Sequence, residues 1–383
     1  MEILSLTTEA FRNLEPVRIQ LHRRLNLMVG DNGHGKTNLL EAVALAAGRT
    51  PFRGPDLRAV PADGSPSARV ALGLAEGTDE RVLGAEVKDG RREHFLDGAR
   101  VSQLAARETL PSVFLTAEDL LRLSGPSRER RRALDRAAQA LFPDHAADLS
   151  RYERARASKA RLLSASAPPD PDAVGVFEEA MATAGARVAV RRRQACGRLA
   201  SETARASVRI GSPAVPPALA LRSDLPAEGD EASFAEALHE SFARHRAAER
   251  AAGRCLVGPH RDDVTLLLAG VPAAGRASSG ETRTLLLAWT LAEIALLSAR
   301  TGRTPLLAFD DFDSEWDPGA LRRFAGSLPE DGQVLLTSAR PEAVKGLPFP
   351  EGALLRVTRG RVEAEGRAGG GRLLTWPLRE AVV

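Results

Sequence analysis

An α/β fold, split in two by an inserted helical lobe, is what this 383-residue sequence predicts. Three observations carry the prediction. A glycine-rich octapeptide, Gly30 to Thr37, lies between a short apolar run and an apolar-periodic helix. A second apolar run, far downstream, ends in two adjacent acids, Asp310 and Asp311. Between them the composition shifts to Ala, Arg, Leu and Glu with helical patterning.

Taken in order, Ile3 to Leu6 and Val17 to Leu21 alternate as short strands, and Leu25 to Val29 is a buried-strand run. Thr37 to Ala47 reads as a helix, with Gly48 as its C-terminal stop. Ala68 to Leu74, Glu80 to Val87 and Arg91 to Leu96 read as antiparallel strands, joined by Lys88-Asp89-Gly90 and Asp97-Gly98 turn chemistry. From Ala117 to about Gly253 the chain is predicted helical. Breaks fall at Ala167-Pro168-Pro169-Asp170-Pro171, the tip of a helical hairpin, and from Gly211 to Pro217. Ser233 is the expected N-cap of a helix reaching about Arg250. No sustained heptads exist, which argues against a long coiled coil. Beyond Cys255, Val264 to Leu268, Leu306 to Phe309, Val334 to Thr337 and Leu354 to Val357 read as strands, and Glu281 to about Ala299 as a long buried helix. The expected division is therefore 1–117, a helical lobe over 118–253, and 254–383.

Gly30-Asp31-Asn32-Gly33-His34-Gly35-Lys36-Thr37 has the spacing of a nucleotide-binding P-loop, in the strand–loop–helix context it requires. The glycines let backbone N–H groups turn inward around phosphate oxygens at a helix N-terminus. Lys36 is expected on the β- and γ-phosphates of ATP, and the Thr37 hydroxyl on Mg²⁺. The chain has only four lysines, Lys36, Lys88, Lys159 and Lys345, and one stands at the P-loop position. Asp310, ending the run Pro305-Leu306-Leu307-Ala308-Phe309, is expected to hold Mg²⁺ through water. Asp311 is placed to polarise the attacking water.

Ala277-Ser278-Ser279-Gly280-Glu281 opens the long apolar helix, and Ser314-Glu315-Trp316-Asp317 follows the acids. Alone, the first is an ordinary capping sequence. In this order with the P-loop and the acidic strand, the set resembles the signature and following motifs of ABC-type ATPase heads. The fold so implied is a mixed sheet with an antiparallel part. That resemblance implies that Ser278, Ser279, Gly280, Glu281 and Asp317 complete the nucleotide site of a second subunit, so that ATP joins a C2 homodimer.

Further blocks resemble the RecF family of bacterial recombination and repair proteins. They are Phe11-Arg12-Asn13-Leu14, Leu25 to Thr37 continuing as Asn38-Leu39-Leu40-Glu41-Ala42, Glu118-Asp119-Leu120 with Arg130-Arg131-Arg132 and Leu134-Asp135, and Gly258-Pro259-His260-Arg261-Asp262-Asp263. Membership implies a cytoplasmic, ATP-dependent DNA-binding protein with weak Mg²⁺-dependent ATPase activity. It also implies work with RecO and RecR to load RecA at gaps and junctions. A transporter or chromosome-organising head is the alternative reading. Departures are visible: the signature glutamine position is Glu281, and Thr337-Ser338-Ala339-Arg340 stands where many ABC ATPases have a switch histidine. Gln103 and Glu118 are the candidates for a Q-loop role. Arg12 either reaches the nucleotide or is a surface residue. His260-Arg261-Asp262-Asp263 is either catalytic or buttresses the interface of the two lobes through ion pairs and a turn.

Composition bounds the rest. Net charge is +3, and a 43% apolar fraction is that of a globular chain with a large core. No run of about 18 uninterrupted apolar residues is present, which argues against a membrane span, and Met1-Glu2-Ile3-Leu4 lacks signal-peptide character. Cys196 and Cys255, far apart, suggest a reducing compartment without a disulfide. Over 151–209, twelve Lys and Arg face six Asp and Glu, with Arg191-Arg192-Arg193 the densest knot and Arg128 to Arg132 another. These clusters are expected either to contact DNA phosphates or to be solvated helix faces. One Tyr and three Trp argue against stacking on single-stranded bases.

Overall fold

The computed structural model describes residues 1–52, 56–120, 125–165, 170–211, 216–312, 318–340, 351–365, 374–375 and 379–380. Two compact units divide the chain. One comprises Met1–Asp119, Arg209–Gly211 and Leu297–Val383, the other Leu120–Val208 and Ser212–Leu296.

The first unit holds two six-stranded sheets. One has the order β2-β1-β4-β5-β6-β7 and is antiparallel throughout, from β1 (Glu2–Glu9), β2 (Val17–Gln20), β4 (Ser67–Glu76), β5 (Asp79–Lys88), β6 (Arg91–Leu96) and β7 (Ala99–Val101). The other has the order β15-β14-β3-β13-β12-β8. Here β14 (Gly352–Thr358), β3 (Leu25–Val29), β13 (Val334–Ser338), β12 (Leu306–Phe309) and β8 (Ser112–Leu115) run parallel, and β15 (Arg361–Glu365) pairs antiparallel with β14. Continuous apolar stretches such as Leu306–Phe309, buried at every residue, are what a parallel strand covered on both faces requires. Helix α1 (Lys36–Ala46) touches β4 and β5 of the antiparallel sheet and β13 of the parallel one. Ten of its 11 residues are buried, so it is enclosed all round rather than amphipathic. Ile3, Leu6, Phe11, Met28, Leu39, Val43, Leu72, Leu83 and Leu335 belong to one core cluster of this unit. After β7 come α2 (Gln103–Thr109) and, past β8, a short 3-10 turn, Ala117–Leu120.

The second unit is mostly helical, with α3 (Ser127–Leu141), α4 (His145–Ser164), the 39-residue α5 (Pro171–Arg209) and α6 (Glu231–Ala252). Its core gathers Tyr152, Met181, Phe234, Leu238 and Phe242. Helix α6 begins earlier than expected: Asp230, not Ser233, is the N-cap, and Ser233 completes the capping box from the third helical position. A three-stranded sheet, β9 (Ala218–Arg222), β10 (Asp263–Leu268) and β11 (Val271–Pro272), belongs to this unit as well. β9 lies between two expected loops of the helical stretch, where no strand was expected. Its antiparallel pairing with β10 ties residues past 254 to the helical unit, which runs on to Leu296 instead of ending at 253. Helix α7 (Ser279–Thr301) is long and apolar enough to cross a membrane by composition, yet 67% of that stretch is buried inside the protein, as in a core helix. Among the described residues the last helix is α8 (Pro318–Ala325). Of the predicted hairpin tip, residues 166–169 lie outside the described residues.

Candidate functional site

Five parallel strands end on one edge of the second sheet, and the candidate residues follow directly from those ends. The P-loop leaves β3, Asp310 and Asp311 leave β12, and Thr337 and Ser338 close β13. Ligands of open α/β sheets are bound at such carboxyl ends. At the start of the P-loop a Cβ on Gly30 would lie 2.1 Å from the Val357 carbonyl oxygen, so only glycine permits this approach of β14. At its end Gly35 has φ 110° and opens α1 with no side-chain cap. The first N–H groups of α1 therefore remain for an anion, with the helix dipole favouring it.

Lys36 is 4% exposed, and its Nζ donates to the carbonyls of Gly30 at 2.6 Å and Asp31 at 3.1 Å. The ammonium is held over the loop by neutral acceptors, which a polyphosphate replaces with charged ones. The next residue, Thr37, donates from Oγ1 to the Asp310 carboxylate, with its oxygens at 2.9 and 3.0 Å. Burial pushes the Asp310 carboxyl up from its ordinary value. The hydrogen bond from Thr337 pulls it down, the charge on Asp311 adds to the rise, and Thr37 and Lys36 oppose it. A hydroxyl and a carboxylate already converging are hard oxygen donors that fit Mg²⁺, whose charge would offset the effect of burial on Asp310. Asp311, with φ 46°, is in the left-handed region that non-glycine residues rarely occupy.

Further residues brace the loop. Asn13 donates from Nδ2 to the Gly33 carbonyl at 3.1 Å and accepts from Asn38 Nδ2 at 2.6 Å, which gives Asn38 a structural role behind the loop. The Gly360 N–H donates to the His34 carbonyl at 2.9 Å from the β14–β15 turn. A Cβ on Gly360 would lie 2.0 Å from the Asn13 carbonyl oxygen. Arg12 is held at the loop rather than free on the surface. Its guanidinium grips the fully buried Glu41 through two 2.9 Å bonds and donates to the Ala59 carbonyl at 2.7 Å. Asn13, Glu41 and Gly360 were not singled out from the sequence as site residues. Asn13 and Glu41 stand inside recognisable motifs, but the pattern does not reveal their partners.

Gln103 has no place at the phosphates. Its Nε2 donates to the Gly48 carbonyl at 2.7 Å, at the C-terminal end of α1, whereas the P-loop lies at the N-terminal end. Glu118 is exposed in the 3-10 turn that follows β8.

In the second unit Ser278, Ser279, Gly280 and Glu281 are all exposed at the start of α7. Glu281 accepts from the Ser278 N–H and hydroxyl, both at 2.9 Å, and its N–H donates to Ser278 Oγ at 3.2 Å. Hydrogen bonds from Ser278 hold its carboxyl below the usual range. Glutamate at this position is thus a reciprocal cap that fixes the serine turn. Asp317, with Ser314, Glu315 and Trp316, lies outside the described residues.

Of the arginine knot, expected either to contact DNA phosphates or to be a solvated helix face, Arg192 is buried, while Arg191 and Arg193 are half-buried and bound to acceptors of the same unit. Arg192 is 2% exposed and forms a two-pronged bond to Asp135 at 2.8 and 2.9 Å, with further bonds to Asp262 at 2.9 Å and the Pro259 carbonyl at 2.5 Å. Burial opposes charge on Arg192, but Asp135 and Asp262 outweigh it and raise its pKa. Arg191 donates to the buried Asp148 at 2.8 Å. Arg193 binds the carbonyls of Leu225, Pro226 and Ala227 and lies 4.3 Å over the Phe234 ring. Arg130 pairs with Asp263 at 2.8 and 2.6 Å, and Arg131 donates to the Asp262 carbonyl. His260 accepts from the Tyr152 hydroxyl at 2.6 Å, and Arg261 reaches Asp224 at 3.2 Å. The segment His260–Asp263 is therefore a buttress within the second unit. These cations sit where they do because carboxylates cannot be buried without partners.

Residues 2–360 match the family model described as RecF/RecN/SMC N terminal domain. The DNA replication and repair protein RecF of Myxococcus xanthus (strain DK1622) is 36% identical, over 94% of this chain and 97% of that protein. The protein of the same name from Deinococcus radiodurans is 32% identical, over 96% and 99%. Among solved structures, a recombination mediator protein RecF-ATP in the RecFOR pathway superposes with a TM-score of 0.85 at 24% identity, covering 95% of this chain and 98% of that one. An SmcHead bound to the C-winged helix domain of ScpA shares the fold with a TM-score of 0.52 at 16% identity, covering 95% and 97%.

Proposed function

The chain belongs to the RecF family of SMC-like ATPases, and from that premise we propose that it is an ATP-switched DNA clamp of recombinational repair. ATP lies along the P-loop of one copy, with its phosphates on the N–H groups at the start of α1 and on Lys36. Thr37, and Asp310 through water, would hold Mg²⁺, which would screen the phosphate charge. The exposed Ser278 and Ser279 of a second copy close over the γ-phosphate. Asp311 takes the proton of the attacking water as the γ-phosphoryl group leaves ADP. Hydrolysis is slow, and its product is a timed opening of the dimer. DNA at gaps and junctions is the cargo, and RecO and RecR are the partners through which RecA is loaded.

The observation that carries this reading is the convergence of Lys36, Thr37 and Asp310 at one sheet edge, combined with a signature turn that is exposed. Mass by light scattering tests it: a dimer with ATP and Mg²⁺, a monomer with ADP. An ATP-independent mass would sink the shared site.

With Arg192 buried and Arg191 and Arg193 already bound to acceptors of the second unit, we place the phosphate contacts on other cations. Arg246 and Arg250, one turn apart on α6, and Arg254 just beyond it are exposed, although Arg246 also reaches Glu178 at 2.6 Å. Charge reversal at Arg250 and Arg254 is expected to weaken ATP-dependent binding of gapped DNA and to lower its salt slope by roughly one per lost contact. An unchanged gel shift would exclude this surface.

A further inference from the structure

Thr337 is the last residue but one of β13, and none of its surface is exposed. Its Oγ1 donates to Asp310 Oδ1 at 2.6 Å and accepts from the Asp311 N–H at 2.7 Å. The Thr337 carbonyl accepts from the Phe312 N–H at 3.0 Å. One residue thus holds the Asp310 carboxylate and the backbone N–H groups at and just after Asp311.

The register explains why. β12 and β13 are parallel, with Phe309 beside Leu336, so the position after Leu336 faces the point where the chain leaves β12. A hydroxyl has one proton to give. Given to Asp310 Oδ1, it fixes the rotation of that carboxylate while Thr37 approaches both its oxygens. Accepting from the Asp311 N–H, the same oxygen holds a backbone with φ 46°, which a non-glycine residue keeps only when its surroundings over-determine it. The bond to Phe312 closes the clamp from the other side. Hydrophobic packing asks for nothing polar here, and valine would fill the same volume.

We propose that Thr337 is a positioning residue for ATP hydrolysis, which turns the Asp310 carboxylate toward Thr37 and sets the backbone that carries Asp311. It has no exposed surface and acts through the Asp310 carboxylate and the Asp311 main chain. The proposal rests on the ATPase reading above.

Thr337→Val removes the hydroxyl at constant shape, Thr337→Ala removes it in a smaller side chain, and Thr337→Ser keeps it. A fluorescent ATP analogue titrated in EDTA and then with Mg²⁺ separates nucleotide binding from metal-dependent tightening, and turnover is measured beside it. For Val and Ala we expect affinity in EDTA within about twofold of wild type, because Lys36 and the P-loop are untouched. The Mg²⁺ midpoint should rise about fivefold or more and kcat fall about tenfold, with KM changing far less. Ser should restore both to within about threefold. Each variant is referred to its own melting curve without nucleotide, so a loss of fold is read separately, and Ala serves if Val does not fold. The proposal is overturned if Val and Ala keep the wild-type Mg²⁺ midpoint and kcat, or if Ser is as impaired as they are. A wild-type chain that binds no nucleotide with Mg²⁺ would instead overturn the ATPase reading itself.

Discussion

Replacing Arg192 by methionine separates a structural arginine from a DNA contact. The side chain is 2% exposed and satisfies Asp135 through two bonds, Asp262 through one and the Pro259 carbonyl through another. Methionine fills similar volume but leaves two carboxylates, 7% and 1% exposed, with a partner missing. His145 still reaches Asp135 at 2.9 Å, which relieves part of the penalty. Breaking a buried pair on one side costs about 3–5 kcal/mol. In a unit of this size each kcal/mol lowers the melting temperature by about 2–4 °C, so Arg192→Met should lower it by roughly 6–20 °C. Circular dichroism or calorimetry on the full chain measures this, at low and high salt, because a buried pair is screened little. Adding Asp135→Asn should cost less than the two single losses summed, with a coupling of about 1 kcal/mol or more. A melting temperature within about 2 °C of wild type, together with weakened DNA binding, would refute the argument and return Arg192 to the surface.

Three further outcomes follow from the same structure. Lys36→Met should reduce ATP affinity about a hundredfold or abolish it, read by nucleotide titration, since one charge-assisted phosphate contact and the P-loop's only ammonium are lost together. Asp311→Asn should retain nucleotide binding and ATP-dependent dimerisation while turnover falls about a hundredfold or more, checked by phosphate release beside light scattering. Stability should fall as pH drops from about 6.5 toward 4. Burial, with Arg92 nearby, lowers His94 to about 4, and burial, with Arg156 nearby, lowers His260 to about 4. Each is neutral in the fold but takes up a proton when unfolded, so in that window the unfolded chain binds more protons. Each contributes up to about 1.4 kcal/mol of loss per pH unit. Melting temperatures at pH 7, 6 and 5 measure it, and a His94→Phe variant should show a flatter decline.

Much of the site was legible because its chemistry is local. Gly30 to Thr37 is one short loop between a strand and a helix, and Asp310 and Asp311 end an apolar strand. Both patterns survive without knowledge of the fold. Strands such as Leu25–Val29, Arg91–Leu96 and Leu306–Phe309 fell where alternation or continuous apolar character placed them. β9 was missed because Ala218–Arg222 is short, half exposed and set between two loop segments; only pairing with β10 makes it a strand.

By itself the sequence determined the kind of phosphate-binding loop, the acid-ended strand proposed to serve it, and the alternation of α/β and helical stretches, because each depends on neighbours a few residues apart. Tertiary structure alone decided which charges are spent inside. Asp135 and Asp262 meet Arg192 from 57 and 70 residues away, and Lys159 is buried against Glu249 across 90. Thr337 finds Asp310 across 27 residues through a shared strand register. A run of arginines looks the same in the chain whether solvent or carboxylates face it. The free energy of a charge is set by what surrounds it, and those surroundings exist only once the chain has folded.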